Sequence, residues 1–295
     1  MEKKCTQEFK IKVPWGHVAA KAWGNSNNFP ILMVHGILDN AGAFDRLIMQ
    51  LPKKFYYVCI DLPGHGWSSH FPPGILLSYF NYVQAIKYVL DELKWDQLYY
   101  VGHSFGAHLG VFFTIVFPGR IERLVLIDSF IPLPLANQDI IPLIKTYHDL
   151  TIEALNVKSV RQYTKEEIMF GLMNMRKCSL KSEAAKALFE RSVTNVGNDS
   201  YIYNRDYRLK FHLSPLLDLS QSSYILKSLK VKTLLLLATA TTPQLKCNIP
   251  KLVATLDTLK NLNIIEVVGN HDVHNNYPEH ISLHITQFLT QSSKL

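Results

Sequence analysis

The chain has 295 residues, enough for one large core or two modest ones. Its hydrophobic content of 47% fits a globular protein, and no stretch approaches the ~20 apolar residues of a membrane-spanning helix. The formal charge of +7 is scattered, with no basic run or nucleic-acid motif, and the charged start Met1-Glu2-Lys3-Lys4 lacks the apolar region of a secretory signal.

Residues 9–13 and 18–22 predict a leading hairpin around Pro14-Trp15-Gly16. Residues 30–34 (P-I-L-M-V) read as a buried strand that ends at His35-Gly36. Residues 43–51 have helical spacing, with Phe44, Leu47, Ile48 and Leu51 on one face. A strand over 56–60 runs into Asp61-Leu62-Pro63-Gly64, and a helix over 77–93 follows. A strand over 98–101 leads to Gly102-His103-Ser104-Phe105-Gly106; the next helix stops at Pro118-Gly119, and a strand occupies 123–127. The pattern resumes with strands at 233–237 and 264–268, an apolar helical stretch at 249–259 between them, and a closing helix at 280–290. Strands apolar throughout and separated by helices indicate a mostly parallel sheet covered on both faces.

Between 132 and 213 the strands disappear and the segment reads as all helix. Thr164 opens a capping box (T-K-E-E) before Ile168, Leu172 and Met175, and residues 183–193 form a second amphipathic stretch. The expected organisation is a core of residues 1–131 and 214–295 with a helical cap, 132–213, over the carboxyl edge of the sheet, where open α/β sheets bind ligands. The four cysteines, Cys5, Cys59, Cys178 and Cys247, are far apart and form no CxxC or metal pattern, so they are expected to be free thiols in a reducing compartment.

Gly102-His103-Ser104-Phe105-Gly106 matches G-x-S-x-G, in which a serine sits on a tight strand-to-helix turn and small flanking residues let neighbouring chain approach. A free hydroxyl is a weak nucleophile and needs a base. His271, just after the last expected strand, fills that role, with His274 as its rival. The strand after the insertion runs into Ala238-Thr239-Ala240-Thr241-Thr242-Pro243, which offers no carboxylate. Asp128, directly after the strand at 123–127, is the best substitute; its alternative is a structural turn residue. Oxyanion donors are expected from the backbone N–H of Phe105 and of Ile37, with Leu38 second to Ile37. His35 is expected to brace its loop, and Asp61 to Ser68 to supply turn chemistry below the pocket.

In this order, H-G, D-x-P-G-x-G-x-S, G-x-S-x-G and a late G-x-H resemble the α/β-hydrolase superfamily over nearly the whole chain. His35-Gly36-Ile37-Leu38-Asp39-Asn40-Ala41-Gly42-Ala43-Phe44-Asp45, Arg205-Asp206-Tyr207-Arg208-Leu209 and Gly269-Asn270-His271-Asp272-Val273-His274 are most similar to its serine hydrolase-like subgroup. That resemblance implies an α/β-hydrolase fold and serine hydrolase activity, with peroxisomal members and poorly defined substrates. Related dehalogenase-like hydrolases carry their acid after the strand preceding the cap, which matches Asp128. They use an aspartate nucleophile, and Ser104 departs from that.

The expected activity is cleavage of an ester or thioester through a Ser104–His271–Asp128 triad, on a small or acyl-bearing apolar substrate. No metal or organic cofactor is implied. The alternatives are a ligand-binding protein on a hydrolase scaffold and a non-hydrolytic enzyme of the same fold. Ser293-Lys294-Leu295 reads as a peroxisomal address with an import receptor as partner; the alternative location is the cytoplasm.

Overall fold

The computed structural model describes residues 6–157, 160–176, 178–210 and 215–291. The chain opens with an antiparallel hairpin, β1 (Thr6–Val13) and β2 (Gly16–Trp23). There follow β3 (Pro30–Val34), a 3-10 turn (Ala41–Phe44) leading into the short α1 (Asp45–Ile48), β4 (Tyr56–Ile60) and α2 (Tyr79–Glu92). Next come β5 (Leu98–His103), α3 (Phe105–Val116) and β6 (Ile121–Ile127). A long insertion carries α4 (Ile140–Leu155), α5 (Lys165–Asn174), α6 (Ser182–Ser192), β7 (Val193–Gly197) and β8 (Ser200–Tyr203). The chain then returns through α7 (Leu219–Lys227), β9 (Lys232–Ala238), α8 (Thr242–Asn248), α9 (Pro250–Leu256), β10 (Leu262–Val267), α10 (Val273–Asn276) and α11 (Glu279–Thr290).

Eight strands form one sheet in the order β1-β2-β4-β3-β5-β6-β9-β10. Along the sheet every pairing from β4 to β10 is parallel, and the antiparallel pairings are β1 with β2 and β2 with β4. Successive side chains of a strand point to opposite faces, and here both faces are apolar. Leu124 and Leu126 of β6 enter a core with Tyr82 and Ile86 of α2 and Leu109 and Phe113 of α3. Val125 and Ile127 enter the opposite core with Phe44, Leu47 and Ile48, and with Ile281, Ile285 and Phe288 of α11. The mostly parallel sheet covered on both faces by helices, as the sequence predicts, is thus the observed architecture. The expected helix over 43–51 is a 3-10 turn followed by one turn of α-helix, and the stretch at 249–259 is α9, preceded by the separate helix α8. Among the described residues no helix is long and apolar enough to cross a membrane, and Cys59, Cys178 and Cys247 are free thiols; Cys5 lies outside the described residues.

The insertion has its own small core, in which Ile168, Leu172, Ala184, Ala185 and Leu188 pack with Val193. Burying side chains such as Ile168 and Leu188 contributes about 1.5–3 kcal/mol each. The expectation that this segment is all helix needs correction, because β7 and β8 form an antiparallel hairpin. Asn198 and Asp199 at its tip have φ of 49° and 52°, the paired left-handed conformation of a hairpin turn whose twist matches the strands. The strands are half-exposed, so the segment carries no apolar run to announce them.

The insertion docks on segments that follow the carboxyl ends of β3, β4 and β10. The Asn40 amide donates to the Leu188 carbonyl (2.9 Å), and the backbone N–H of Lys181 donates to Asn276 Oδ1 (2.8 Å). Arg191 forks onto the fully buried Asp61, which also accepts from the backbone N–H groups of Ala41 (2.7 Å) and Trp67 (2.8 Å). Asp61 therefore does more than shape a turn. It is the buried counter-charge that fixes α6 to the sheet, and removing one partner of such a pair costs about 3–5 kcal/mol.

Candidate active site

Ser104 stands between β5 and α3 with φ 50° and ψ −113°, a conformation forbidden to most residues. Strain of about 1–3 kcal/mol at such a position persists only where the surroundings impose it. The two glycines show how they do. A Cβ on Gly102 would lie 2.4 Å from the Gly106 carbonyl oxygen, and one on Gly106 would lie 2.0 Å from the Val34 carbonyl oxygen. The G-x-S-x-G spacing is therefore a packing requirement, since β3, the end of β5 and the start of α3 touch backbone to backbone.

His271 lies in the loop between β10 and α10. Its Nε2 is 2.9 Å from Ser104 Oγ, and its Nδ1 is 2.7 Å from Asp128 Oδ2. A carboxylate only accepts, so Nδ1–H donates to Asp128, and Nε2 is left to accept from the serine hydroxyl. Burial favours the neutral imidazole, but the hydrogen bond and charge of Asp128, helped by the charges of Asp272 and Asp39, outweigh it and hold the His271 pKa above its ordinary value of 6.5.

Asp128 is buried at the end of β6 with φ 52°. Its N–H donates to the Leu236 carbonyl (2.7 Å), which locks the turn to β9. Its Oδ1 accepts from the backbone N–H of Ala238 (2.6 Å), and its Oδ2 accepts from Thr241 Oγ1 (2.7 Å) as well as from His271. The loop after β9 thus supplies no carboxylate, as the sequence indicated, but the last residue of β9 and Thr241 beyond it supply two donors to the carboxylate at the end of the neighbouring strand. The part played by Thr241 was not legible in the sequence.

The turn after β3 closes by Asp39 N–H donating to the Gly36 carbonyl (3.2 Å), with Leu38 at φ 64°. Gly36 abuts the serine, since a Cβ there would lie 2.9 Å from His103 Nδ1 and 3.2 Å from Ser104 Cβ. This brings the turn that holds Ile37 against Ser104, while Phe105 opens α3 directly after it. His35 braces the turn: its Nδ1–H donates to the Gly36 carbonyl (2.7 Å), and its Nε2 accepts from Leu62 N–H (3.0 Å).

His274, the rival to His271, is fully buried, and neither of its ring nitrogens has a hydrogen-bond partner among the described residues. Its ring lies 3.9 Å from that of His103, and burial pushes its pKa well below the ordinary range. It stays neutral and packs as an aromatic.

Sequence reasoning missed a buried ionic cluster beneath this site. Arg176, just after α5, donates from Nη1 to Asp39 Oδ1 (2.8 Å) and from Nη2 to Asp272 Oδ1 (3.1 Å). Burial opposes ionisation of Asp39, but the charge and hydrogen bond of Arg176 overcome it and hold its pKa low. Burial dominates at Asp272, whose pKa is pushed up to about 6 despite Arg176. Asp39, His103 and Asp272 present ligand-type atoms within 4.8 Å of one another, a spacing suited to a metal ion. Here the guanidinium already engages both carboxylates, and the cluster reads as an ion triad.

Residues 30–240 match the sequence model of the alpha/beta hydrolase fold. Human serine hydrolase-like protein 2 is 36% identical over 96% of this chain and 93% of its own length. The mouse serine hydrolase-like protein is 34% identical over 96% of this chain and 95% of its own. Among solved structures, the hypothetical protein PA1622 from Pseudomonas aeruginosa superposes with a TM-score of 0.83 at 27% identity, covering 96% of this chain and 97% of that one. The thioesterase domain from the curacin biosynthetic pathway superposes with a TM-score of 0.75 at 22% identity, covering 95% of this chain and 99% of its own, a likeness of fold alone. With the family model matched over most of its length, the chain belongs to the α/β-hydrolase fold family, among the serine hydrolase-like proteins.

Proposed function

We propose that the chain is a serine hydrolase that cleaves esters or thioesters through an acyl-enzyme. The observation that carries this reading is His271 held between two partners, Ser104 Oγ at 2.9 Å and Asp128 Oδ2 at 2.7 Å, with the serine on a strained turn. Ser104 Oγ attacks the carbonyl carbon as its proton passes to His271 Nε2. The oxygen of the tetrahedral adduct takes the negative charge, and the backbone N–H groups of Phe105 and Ile37 stabilise it. Collapse breaks the bond to the alcohol or thiol, which leaves with the proton from His271. Water, deprotonated by the same nitrogen, then attacks the acyl-serine and releases the acid.

The insertion, residues 132–213 as read from the sequence, acts in this proposal as a cap. Its richness in Leu, Ile, Met, Phe and Tyr is what favours an apolar acyl group as substrate. The lack of a carboxylate after β9 is the feature that favours the binding-protein alternative. A carboxylate at hydrogen-bond distance from His271 Nδ1 argues against it.

The deciding experiment is labelling by a fluorophosphonate, which reacts only with an activated serine. The wild type should label and hydrolyse short acyl esters or thioesters. Ser104→Ala should stay folded, fail to label and lose at least ~10³-fold in turnover. Unchanged hydrolysis by folded Ser104→Ala would overturn the assignment. For location, we propose peroxisomal import through Ser293-Lys294-Leu295, which lie outside the described residues.

A further inference from the structure

The ion triad under the site joins parts of the chain that the reaction needs in register. One carboxylate, Asp39, closes the turn that carries Ile37, by its N–H to the Gly36 carbonyl (3.2 Å). The other, Asp272, is the residue after His271. Between them stands His103, the residue before Ser104. Its Nδ1 is 3.8 Å from Asp39 Oδ2, and its Nε2–H donates to the His271 backbone carbonyl (2.9 Å). His103 Nδ1 has no hydrogen-bond partner among the described residues, and burial lowers the ring's pKa to about 3, so His103 is neutral and Asp39 depends on Arg176 for its counter-charge.

We propose that Arg176 is a positioning residue for the reaction at Ser104: its two-pronged guanidinium sets the spacing between the oxyanion-side turn and the His271 loop. The proposal rests on the hydrolase reading of Ser104. The chemistry favours arginine because two fixed N–H prongs can engage two separate carboxylates at once, whereas an ammonium is a single point charge. Buried ionic groups generally add little stability over apolar packing of the same volume, so a triad joining two loops is better explained by the geometry it imposes. Arg176 also comes from the insertion, so the triad ties the placement of that segment to the reacting groups. The Arg176 side chain keeps 21% of its surface exposed, whereas Asp39 and Asp272 keep 2% and 4%; the cation closes the cluster from outside.

The test compares Arg176→Lys and Arg176→Met with the wild type by thermal melting, steady-state hydrolysis of a p-nitrophenyl ester and the labelling rate of a small fluorophosphonate. Arg176→Lys keeps the charge, so it should stay folded and melt close to the wild type. A misplaced reacting group costs up to ~10²-fold, so kcat and the labelling rate should fall about 10- to 100-fold in both variants while KM stays within about threefold. Adding Asp39→Asn to Arg176→Lys should cost no more than about threefold further, because both changes break the same link. If Arg176→Met fails to fold, the lysine variant alone carries the comparison. Wild-type kcat and labelling in Arg176→Lys would overturn the proposal, reducing Arg176 to a counter-charge. A raised KM with unchanged kcat would also overturn it, making Arg176 a substrate contact. If the wild type itself does not label, the hydrolase reading falls and this inference with it; if the wild type labels and Arg176→Lys labels equally fast, only this inference falls.

Discussion

Asp128→Asn changes one oxygen to nitrogen, and the surrounding donors dictate the outcome. Oδ1 receives the Ala238 N–H, and Oδ2 receives both His271 Nδ1–H and the Thr241 hydroxyl. All are donors, and an amide has only one oxygen to offer. If that oxygen faces His271, the amide NH₂ opposes the buried Ala238 N–H, and two donors are left unpaired. If it faces Ala238, the NH₂ points at His271 Nδ1, which must then accept; the Thr241 hydroxyl can turn and accept too. The imidazole proton moves to Nε2, the nitrogen 2.9 Å from Ser104 Oγ, and the base is lost. The second arrangement leaves no buried donor orphaned, so the variant should fold with little change in stability and hold the wrong tautomer. The expected loss in turnover is about 10³- to 10⁴-fold. At 1.36 kcal/mol per factor of ten, that is about 4–5.5 kcal/mol of transition-state stabilisation. Thr241→Asp added to Asp128→Asn should recover at least ~10-fold, because it returns a carboxylate to a position already within 2.7 Å of the lost one. The assays are ester hydrolysis and fluorophosphonate labelling rate on folded protein. Turnover of Asp128→Asn within a few-fold of the wild type would refute the orienting role.

The remaining predictions concern pH and location. In the proposed mechanism His271 acts as a base only when neutral, and its pKa is held above 6.5, so kcat/KM should fall as pH drops through a midpoint above that value; a wild-type midpoint at or below 6.5 would contradict the proposal. The stability linkage has the opposite sign. A folded pKa above the unfolded one stabilises fully below 6.5 and is lost as pH rises through the raised value, so the melting advantage of the wild type over His271→Gln should shrink from pH 6 to pH 8. A fluorescent protein fused to the N-terminus should be punctate and co-localise with peroxisomes, and removing Ser293-Lys294-Leu295 should make it diffuse. Punctate signal after that removal would mean another targeting route.

What the sequence made legible follows from how far apart the interacting groups lie along the chain. The serine turn could be read directly because its determinants are local: Gly102 and Gly106 flank Ser104 and are required by backbone contacts within that turn and with β3. Asp128 could be reached by one further step. Strands apolar on both faces implied a parallel sheet, and the end of β6 neighbours both the serine turn, through Ser104 N–H to the Ile127 carbonyl, and the end of β9. The β7–β8 hairpin escaped because its strands bury little, which leaves alternation without amplitude; its readable sign was Gly197-Asn198-Asp199, a turn suited to left-handed backbone. Arg176 had no sign at all. It meets Asp39 across 137 residues and Asp272 across 96, and nothing in the run Met175-Arg176 marks it as different from a solvated surface arginine. Periodicity and turn chemistry report local demands on the backbone, whereas a triad drawn from three distant segments depends on the assembled fold. The groups proposed to react therefore show in motifs, and the ion triad beside them shows only once the insertion is seen against the sheet.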